Sequence, residues 1–152
     1  MKTLFLTLIT FISLNTLSDF SDYVGQSKMR CEAIYERLPK INNREMRGRA
    51  AKKYRDKFKT SGNLIILSSE TNKIPLIAAL DFPTNTIVQI FKQGCEIKNS
   101  ELFCEDYITD GEQESLTSLR FNTTTNIITV NKNTSGKSSR ISIESKLDGV
   151  CN

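Results

Sequence analysis

The run Cys95-Glu-Ile-Lys-Asn-Ser-Glu-Leu-Phe-Cys104 places two cysteines symmetrically about Asn99-Ser100. If Asn99-Ser100 forms the tip of a two-residue hairpin loop, Cys95 faces Cys104 across two antiparallel strands. Counting outward from the turn puts this pair at a non-hydrogen-bonded position, where Cα atoms lie ~4.5 Å apart and a disulfide can form. The sequence therefore predicts a disulfide-closed β-hairpin.

The same register sets Lys98 opposite Glu101, and it leaves Cys31 to pair with Cys151 because the chain holds four cysteines. Loop-entropy estimates give about 3 kcal/mol for the short ring and about 5 kcal/mol for the long one. No two cysteines have the close spacing of zinc sites, and the C-x-x-C motif of redox dithiols is absent. We therefore expect structural disulfides and neither a metal nor another cofactor.

The N-terminus has the order of charge and hydropathy of a secretory signal peptide. Lys2 precedes an uncharged, mostly apolar run over residues 4–14, and small residues follow near Ser18. The run is shorter than the ~20 residues that a membrane-spanning helix needs, so membrane contact is expected only through an uncleaved signal sequence. This predicts a signal peptide over residues 1–18, a single domain over residues 19–152, and a secreted or periplasmic location.

Two N-terminal helices are predicted from the spacing of apolar residues. The first, over residues 28–38, carries an apolar stripe with helical spacing and ends before Pro39. The stripe comprises Cys31, Ile34, Tyr35 and Leu38. The second, over residues 43–60, follows Asn42 in a pattern that resembles a capping box and ends before Gly62.

After residue 63 the sequence changes to short apolar segments separated by turn residues, a pattern typical of strands. The predicted strands are residues 64–67, 74–80 and 86–91, the two arms of the cysteine hairpin, and residues 116–121, 127–131 and 140–147. Gln93-Gly94 is interpreted as a bulge and residues 106–115 as an acidic loop. The sequence thus predicts an α+β fold, with two helices followed by a disulfide-reinforced antiparallel meander of six to seven strands.

The chain contains no histidine. This excludes Ser-His-Asp and Cys-His catalysis, histidine metal ligands and imidazole acid–base chemistry, and it argues against an enzyme. The first functional hypothesis is therefore an exported, non-enzymatic binding or interaction protein. Its partner would be an unknown protein or a component of the cell envelope.

Carboxylates support a second hypothesis, hydrolysis of an extracellular or envelope polysaccharide. Such chemistry needs two carboxyl groups on either side of a cleft, one of them protonated. Six acids lie close together in the sequence: Glu96, Glu101, Glu105, Asp106, Glu112 and Glu114. The segment from Asp106 resembles the start of a calcium loop, but Ile108 and Thr117 occupy two ligand positions. Solvated surface acids are the simpler interpretation.

Basic residues support a third hypothesis, a cationic protein that binds anions. Residues 28–59 hold twelve basic and four acidic residues, whereas residues 60–152 hold eight basic and eleven acidic ones. The candidate anion-binding residues, on the side of the second helix away from its apolar stripe, are Arg49, Lys52, Arg55 and Lys59. A Glu45–Arg49 pair at i,i+4 favours an ordinary solvated helix face instead, and nucleic acid is a disfavoured partner.

Overall fold

The computed structural model describes residues 25–68, 76–82 and 87–152, so the predicted signal peptide lies outside the described residues. Within these ranges the chain forms nine strands and one helical turn. They are β1 (Gly25–Ile41), β2 (Arg44–Glu45), α1 (Arg49–Lys52), β3 (Asp56–Ser68), β4 (Leu76–Phe82), β5 (Ile87–Lys98), β6 (Glu101–Asp110), β7 (Gln113–Asn122), β8 (Ile127–Gly136) and β9 (Ile141–Cys151).

Eight of the described strands form a closed antiparallel barrel. Each strand from β3 to β8 pairs with the next along the chain, and β1 pairs with both β3 and β9. The two-residue strand β2 extends one edge by pairing with the end of β1. Closure gives the first and last barrel strands a partner on each side, which is how barrels remove free sheet edges.

The predicted α+β fold is wrong, because residues 28–38 lie within β1 and are not helical. Cys31, Ala33 and Tyr35 are buried, whereas Ile34 between them is 46% exposed. The buried side chains therefore follow the two-residue period of a strand. Ladders with β3 and β9 satisfy the backbone of this segment on both sides, and this tertiary pairing overrides the helical spacing.

The second predicted helix, over residues 43–60, is also wrong. Only Arg49–Lys52 is helical, and Asp56 already begins β3. Gly48 precedes the helical turn with φ of 93°, a conformation that other residues rarely adopt. This backbone geometry prevents the helix from extending toward the N-terminus.

The predicted acidic loop at residues 106–115 is replaced by a hairpin. Residues 106–110 continue β6, residues 113–115 begin β7, and the turn is confined to Gly111-Glu112. The strands predicted on either side of it are present but longer. The predicted bulge is also present, since Gly94 has φ of 98° and the β4–β5 register shifts beside it.

Both predicted disulfides are present. Cys95 and Cys104 face each other on β5 and β6 with a Cα separation of 4.4 Å, in the register counted from Asn99-Ser100. The Cys31–Cys151 disulfide joins facing residues of β1 and β9. It therefore joins the two strands that close the barrel, and not a helix to the C-terminus.

The two ends of the barrel differ in character. We call the end that holds both disulfides and the Asn99-Ser100 turn the disulfide end. We call the opposite end, where residues 42–55 connect β1 to β3, the mouth. Apolar side chains fill the interior toward the disulfide end; the largest include Leu64, Leu80, Phe91, Leu102, Leu119, Phe121, Ile128, Val130 and Leu147.

Candidate ligand site at the barrel mouth

A row of polar side chains interrupts the apolar interior between the disulfide end and the mouth. Register places Asp106, Thr117, Lys132 and Ser145 side by side on β6, β7, β8 and β9. Each lies an even number of residues from buried core positions on its own strand, so each faces inward. Gln89 of β5 joins them, because its Nε2 donates a 2.7 Å hydrogen bond to Oδ2 of Asp106. We call these five residues the polar belt.

Most of the polar belt is withdrawn from solvent. Thr117 is fully buried, Gln89, Asp106 and Ser145 are buried, and Lys132 is half-buried. Buried polar groups cost free energy unless they have hydrogen-bond partners. Ser145 has one, since the Tyr35 hydroxyl donates a 3.1 Å hydrogen bond to its Oγ.

Two groups of the polar belt have no partner within the described part of the chain. The Thr117 hydroxyl is buried without a hydrogen bond. The Lys132 ammonium makes neither an ion pair nor a hydrogen bond with another described residue. A buried hydroxyl without a hydrogen bond lowers the stability of the folded protein by about 1–3 kcal/mol. These polar groups therefore do not stabilise the barrel interior.

The mouth contains a cavity of about 330 Å³ whose lining includes no residue of the polar belt. Its walls include Pro39 of β1, Thr134 of β8 and Ile143 of β9. Thr134 and Ile143 lie two residues from Lys132 and Ser145 along their strands, a rise of about 6.6 Å. The polar belt is therefore the next interior layer beneath the cavity.

The connection between β1 and β3 covers part of this cavity with Met46 and Tyr54. The Met46 N–H donates a 2.9 Å hydrogen bond to the Pro39 carbonyl, and Arg37 Nε donates a 3.0 Å hydrogen bond to the Tyr54 carbonyl. Arg55 forms an ion pair with Glu45 within the same connection. Contacts at both its ends thus hold the connection against the barrel rim.

Among the described strands of the barrel, β5 and β6 share the shortest backbone ladder. Their ladder consists of four residue pairs and stops at Cys95–Cys104, whereas the β6–β7 ladder runs over ten. The Gly94 bulge bends β5 at this point, as bulges commonly do. Toward the mouth, the buried Gln89–Asp106 hydrogen bond joins the two strands.

The residues predicted to bind anions do not share one helix face. Arg49 and Lys52 lie on the short α1, Arg55 follows it in the connection, and Lys59 lies on β3. All four are exposed, and Arg55 is already paired with Glu45. The helix expected to align them is absent, so the fold distributes them over separate elements.

The six acids considered for hydrolysis are not brought together across a cleft. Asp106 faces the barrel interior, whereas Glu101 and Glu105 point outward from the same strand. Glu96 and Glu112 are exposed, and Glu114 lies on an outward position of β7. In the ranges that the structure describes, no three acids or cysteines form a metal-binding group.

Comparison with protein-family models and with curated proteins gives no match for this chain. None of the helices in the described segments is long and apolar enough to cross a membrane.

Sequence reasoning missed the polar belt, although a signal for it exists. Asp106 has the same strand parity as Leu102 and Cys104, and Thr117 has that of Leu119 and Phe121. A polar residue in phase with buried apolar neighbours indicates a side chain that faces the core. Extending the predicted strands by a few residues would have exposed this pattern.

Proposed function

We propose that the protein is an exported, non-enzymatic binding protein that takes up a small ligand through the mouth of its barrel. The observation that carries this proposal is the cavity of about 330 Å³ at the mouth, one inward layer from the polar belt by strand register. Eight-stranded barrels are wide enough to be filled by side chains or to hold one small ligand. Apolar walls with a few convergent polar groups are the usual composition of small-molecule sites.

Apolar side chains exposed around the mouth support the same proposal. Ile41, Tyr54, Ile108 and Ile141 are between 39% and 49% exposed. Ile41 and Ile141 are directly paired across β1 and β9 on inward positions, next to the cavity. Apolar groups that gather at an opening form a surface that an apolar ligand would cover.

Export is part of this proposal. The two disulfides are consistent with an extracellular or periplasmic location, because such bonds persist in oxidising compartments. In this proposal, residues 1–18 act as the secretory signal sequence that directs export. Neither the hydrolase hypothesis nor the cationic hypothesis gains a comparable observation, since Asp106 stands apart from the other five acids and the basic residues are dispersed.

A neutral apolar dye, N-phenyl-1-naphthylamine, tests the proposed function. The oxidised protein should raise the fluorescence of the dye with saturation, because the dye enters an apolar cavity. Thr134→Phe fills the cavity from an inward position of β8 and should lower the dye affinity at least about tenfold. Asn133→Phe, on the adjacent exposed position, is the matched control and should bind as the parent does. A lack of saturable binding, or equal loss in both variants, would overturn the proposal.

A further inference from the structure

Resting on that proposed function, we propose that the ligand is a carboxylate with an apolar chain, and that Lys132 binds its carboxylate within the polar belt. The apolar chain would then extend through the cavity toward the exposed residues of the mouth. Three independent features of the described residues support this: an interior cation without an ion pair, a buried hydroxyl beside it without a hydrogen bond, and an apolar path leading outward.

Lys132 is the first feature. It faces inward on β8 in phase with the buried Ile128 and Val130, and it is half-buried. Its ammonium has no ion pair with any described residue. A half-buried lysine whose three ammonium donors have no described partner gains more from an anion than a fully solvated lysine does.

The acid nearest Lys132 in the same layer already has a hydrogen-bond partner, which leaves the Lys132 ammonium available to an anion. Asp106 already accepts a hydrogen bond from Gln89 and forms no ion pair with Lys132 at 4.0 Å or less. Arg37 lies directly opposite Ser145 on β1 and adds a second positive charge to the layer. Asp56 of β3 lies directly opposite Arg37 on its other side, so the formal charges of the layer balance. The attraction for an anion comes from Lys132, whose ammonium makes no ion pair with a described residue.

Thr117 is the second feature. It pairs with Asp106 on one side and with Lys132 on the other, so its side chain lies between an acid and a base. Its hydroxyl is fully buried and has no hydrogen-bond partner in the described chain. Directly paired residues hold their Cβ atoms about 5 Å apart, so a carboxylate bound at Lys132 would bring an oxygen close to this hydroxyl.

The apolar path is the third feature. One layer above Lys132 the interior is lined by Pro39 and Ile143, and Ile141 and Tyr54 follow at the rim. A ligand with its carboxylate at Lys132 would therefore pass from polar to apolar surroundings along its own length. A single compact head group suits this arrangement, because Arg37 already donates to the Tyr54 carbonyl and Lys132 is left as a cation with no partner among the described residues.

Displacement of N-phenyl-1-naphthylamine by three ligands of equal chain length tests this inference: decanoate, 1-decanol and decylamine. The parent protein should bind decanoate at least about tenfold more tightly than decanol, since a charge-assisted hydrogen bond is retained only with the anion. Decylamine should bind no more tightly than decanol. Lys132→Gln should remove the preference for decanoate while leaving decanol affinity unchanged, and Lys132→Arg should keep it. Lys137→Gln, at an exposed turn residue near the mouth, should also keep it.

The outcomes separate the two proposals. If decanoate and decanol displace the dye equally, or if decylamine displaces it best, the carboxylate inference is wrong while the mouth remains a ligand site. If Lys132→Gln retains the preference, the head group binds elsewhere and the inference is equally wrong. If the dye does not bind the parent protein, the proposed function itself is wrong. Circular dichroism of each variant establishes that it is folded before its affinity is compared.

Discussion

Gln89 donates a 2.7 Å hydrogen bond to Asp106 between the two neighbouring strands whose ladder stops at the Cys95–Cys104 disulfide. Both side chains are buried. The contact therefore performs two tasks: it supplies a partner to an interior carboxylate, and it joins β5 to β6 where the backbone does not. A buried carboxylate that loses its donor bears the full cost of desolvation.

Replacing Gln89 by leucine should accordingly destabilise the protein by about 2–4 kcal/mol, because Asp106 is left buried without this donor. Urea unfolding of the oxidised protein measures the change. Gln93→Leu is the matched control, since Gln93 is exposed on the same strand, and its midpoint should stay near that of the parent. Equal midpoints for the two variants would show that the hydrogen bond contributes nothing to stability.

The two disulfides should contribute unequally. Cys31–Cys151 spans 120 residues of sequence and Cys95–Cys104 spans 9, so the chain-entropy estimate is about 5 kcal/mol for the first and about 3 kcal/mol for the second. The double variant Cys31→Ala/Cys151→Ala should thus unfold at lower urea concentration than Cys95→Ala/Cys104→Ala. Non-reducing peptide mapping of the parent should first recover both pairs. The reverse order of midpoints would mean that Cys95–Cys104, which joins β5 and β6 where their ladder ends, stabilises the protein more than loop length predicts.

Gly149 should tolerate no side chain. A Cβ at this position would lie 2.3 Å from the Glu32 carbonyl oxygen and 2.6 Å from the Ala33 Cβ, because β1 and β9 approach closely beside their disulfide. Gly149→Ala should destabilise the protein by about 3 kcal/mol through this overlap. Gly136→Ala provides the comparison, since its nearest contact would be 3.1 Å, to the side chain of Ser139. A calorimetric melting temperature that falls equally in both variants would argue against close strand contact at Gly149.

The parts of this fold that are local in sequence could be predicted, and the parts that depend on distant pairing could not. The Cys95–Cys104 register follows from counting across one turn, and it is correct. The strand identity of residues 28–38 depends on β3 and β9, whose paired residues lie up to 120 positions away. A helical spacing of four apolar residues carries no information about such partners, and so the local pattern was misleading.

The candidate site was missed for a related reason, because predicted strands were ended too early. Lys132 lies one residue beyond the predicted strand at 127–131, and Asp106 lies in the predicted acidic loop at 106–115. Thr117 lies inside the predicted strand at 116–121, but its inward parity was not used. Polar residues inside a barrel resemble the turn residues that normally end a strand, so composition alone places a boundary there. Strand parity marks these positions as core-facing, and closure of the barrel places them in one shared interior layer.

Thr117 allows ligand binding and stability to be separated in one substitution. Thr117→Val exchanges an unsatisfied buried hydroxyl for a methyl group of similar shape, so the free protein should become more stable by about 1 kcal/mol. The same change removes a hydroxyl that the proposed carboxylate would use, so decanoate affinity should fall severalfold while decanol affinity is unchanged. Thr129→Val is the control, because Thr129 Oγ1 donates a 3.1 Å hydrogen bond to Asp148 on the outer surface and lies away from the mouth. Urea unfolding and dye displacement on both variants give the two readouts. A destabilised Thr117→Val with unchanged decanoate affinity would show that this hydroxyl has a structural partner and no role in the ligand site.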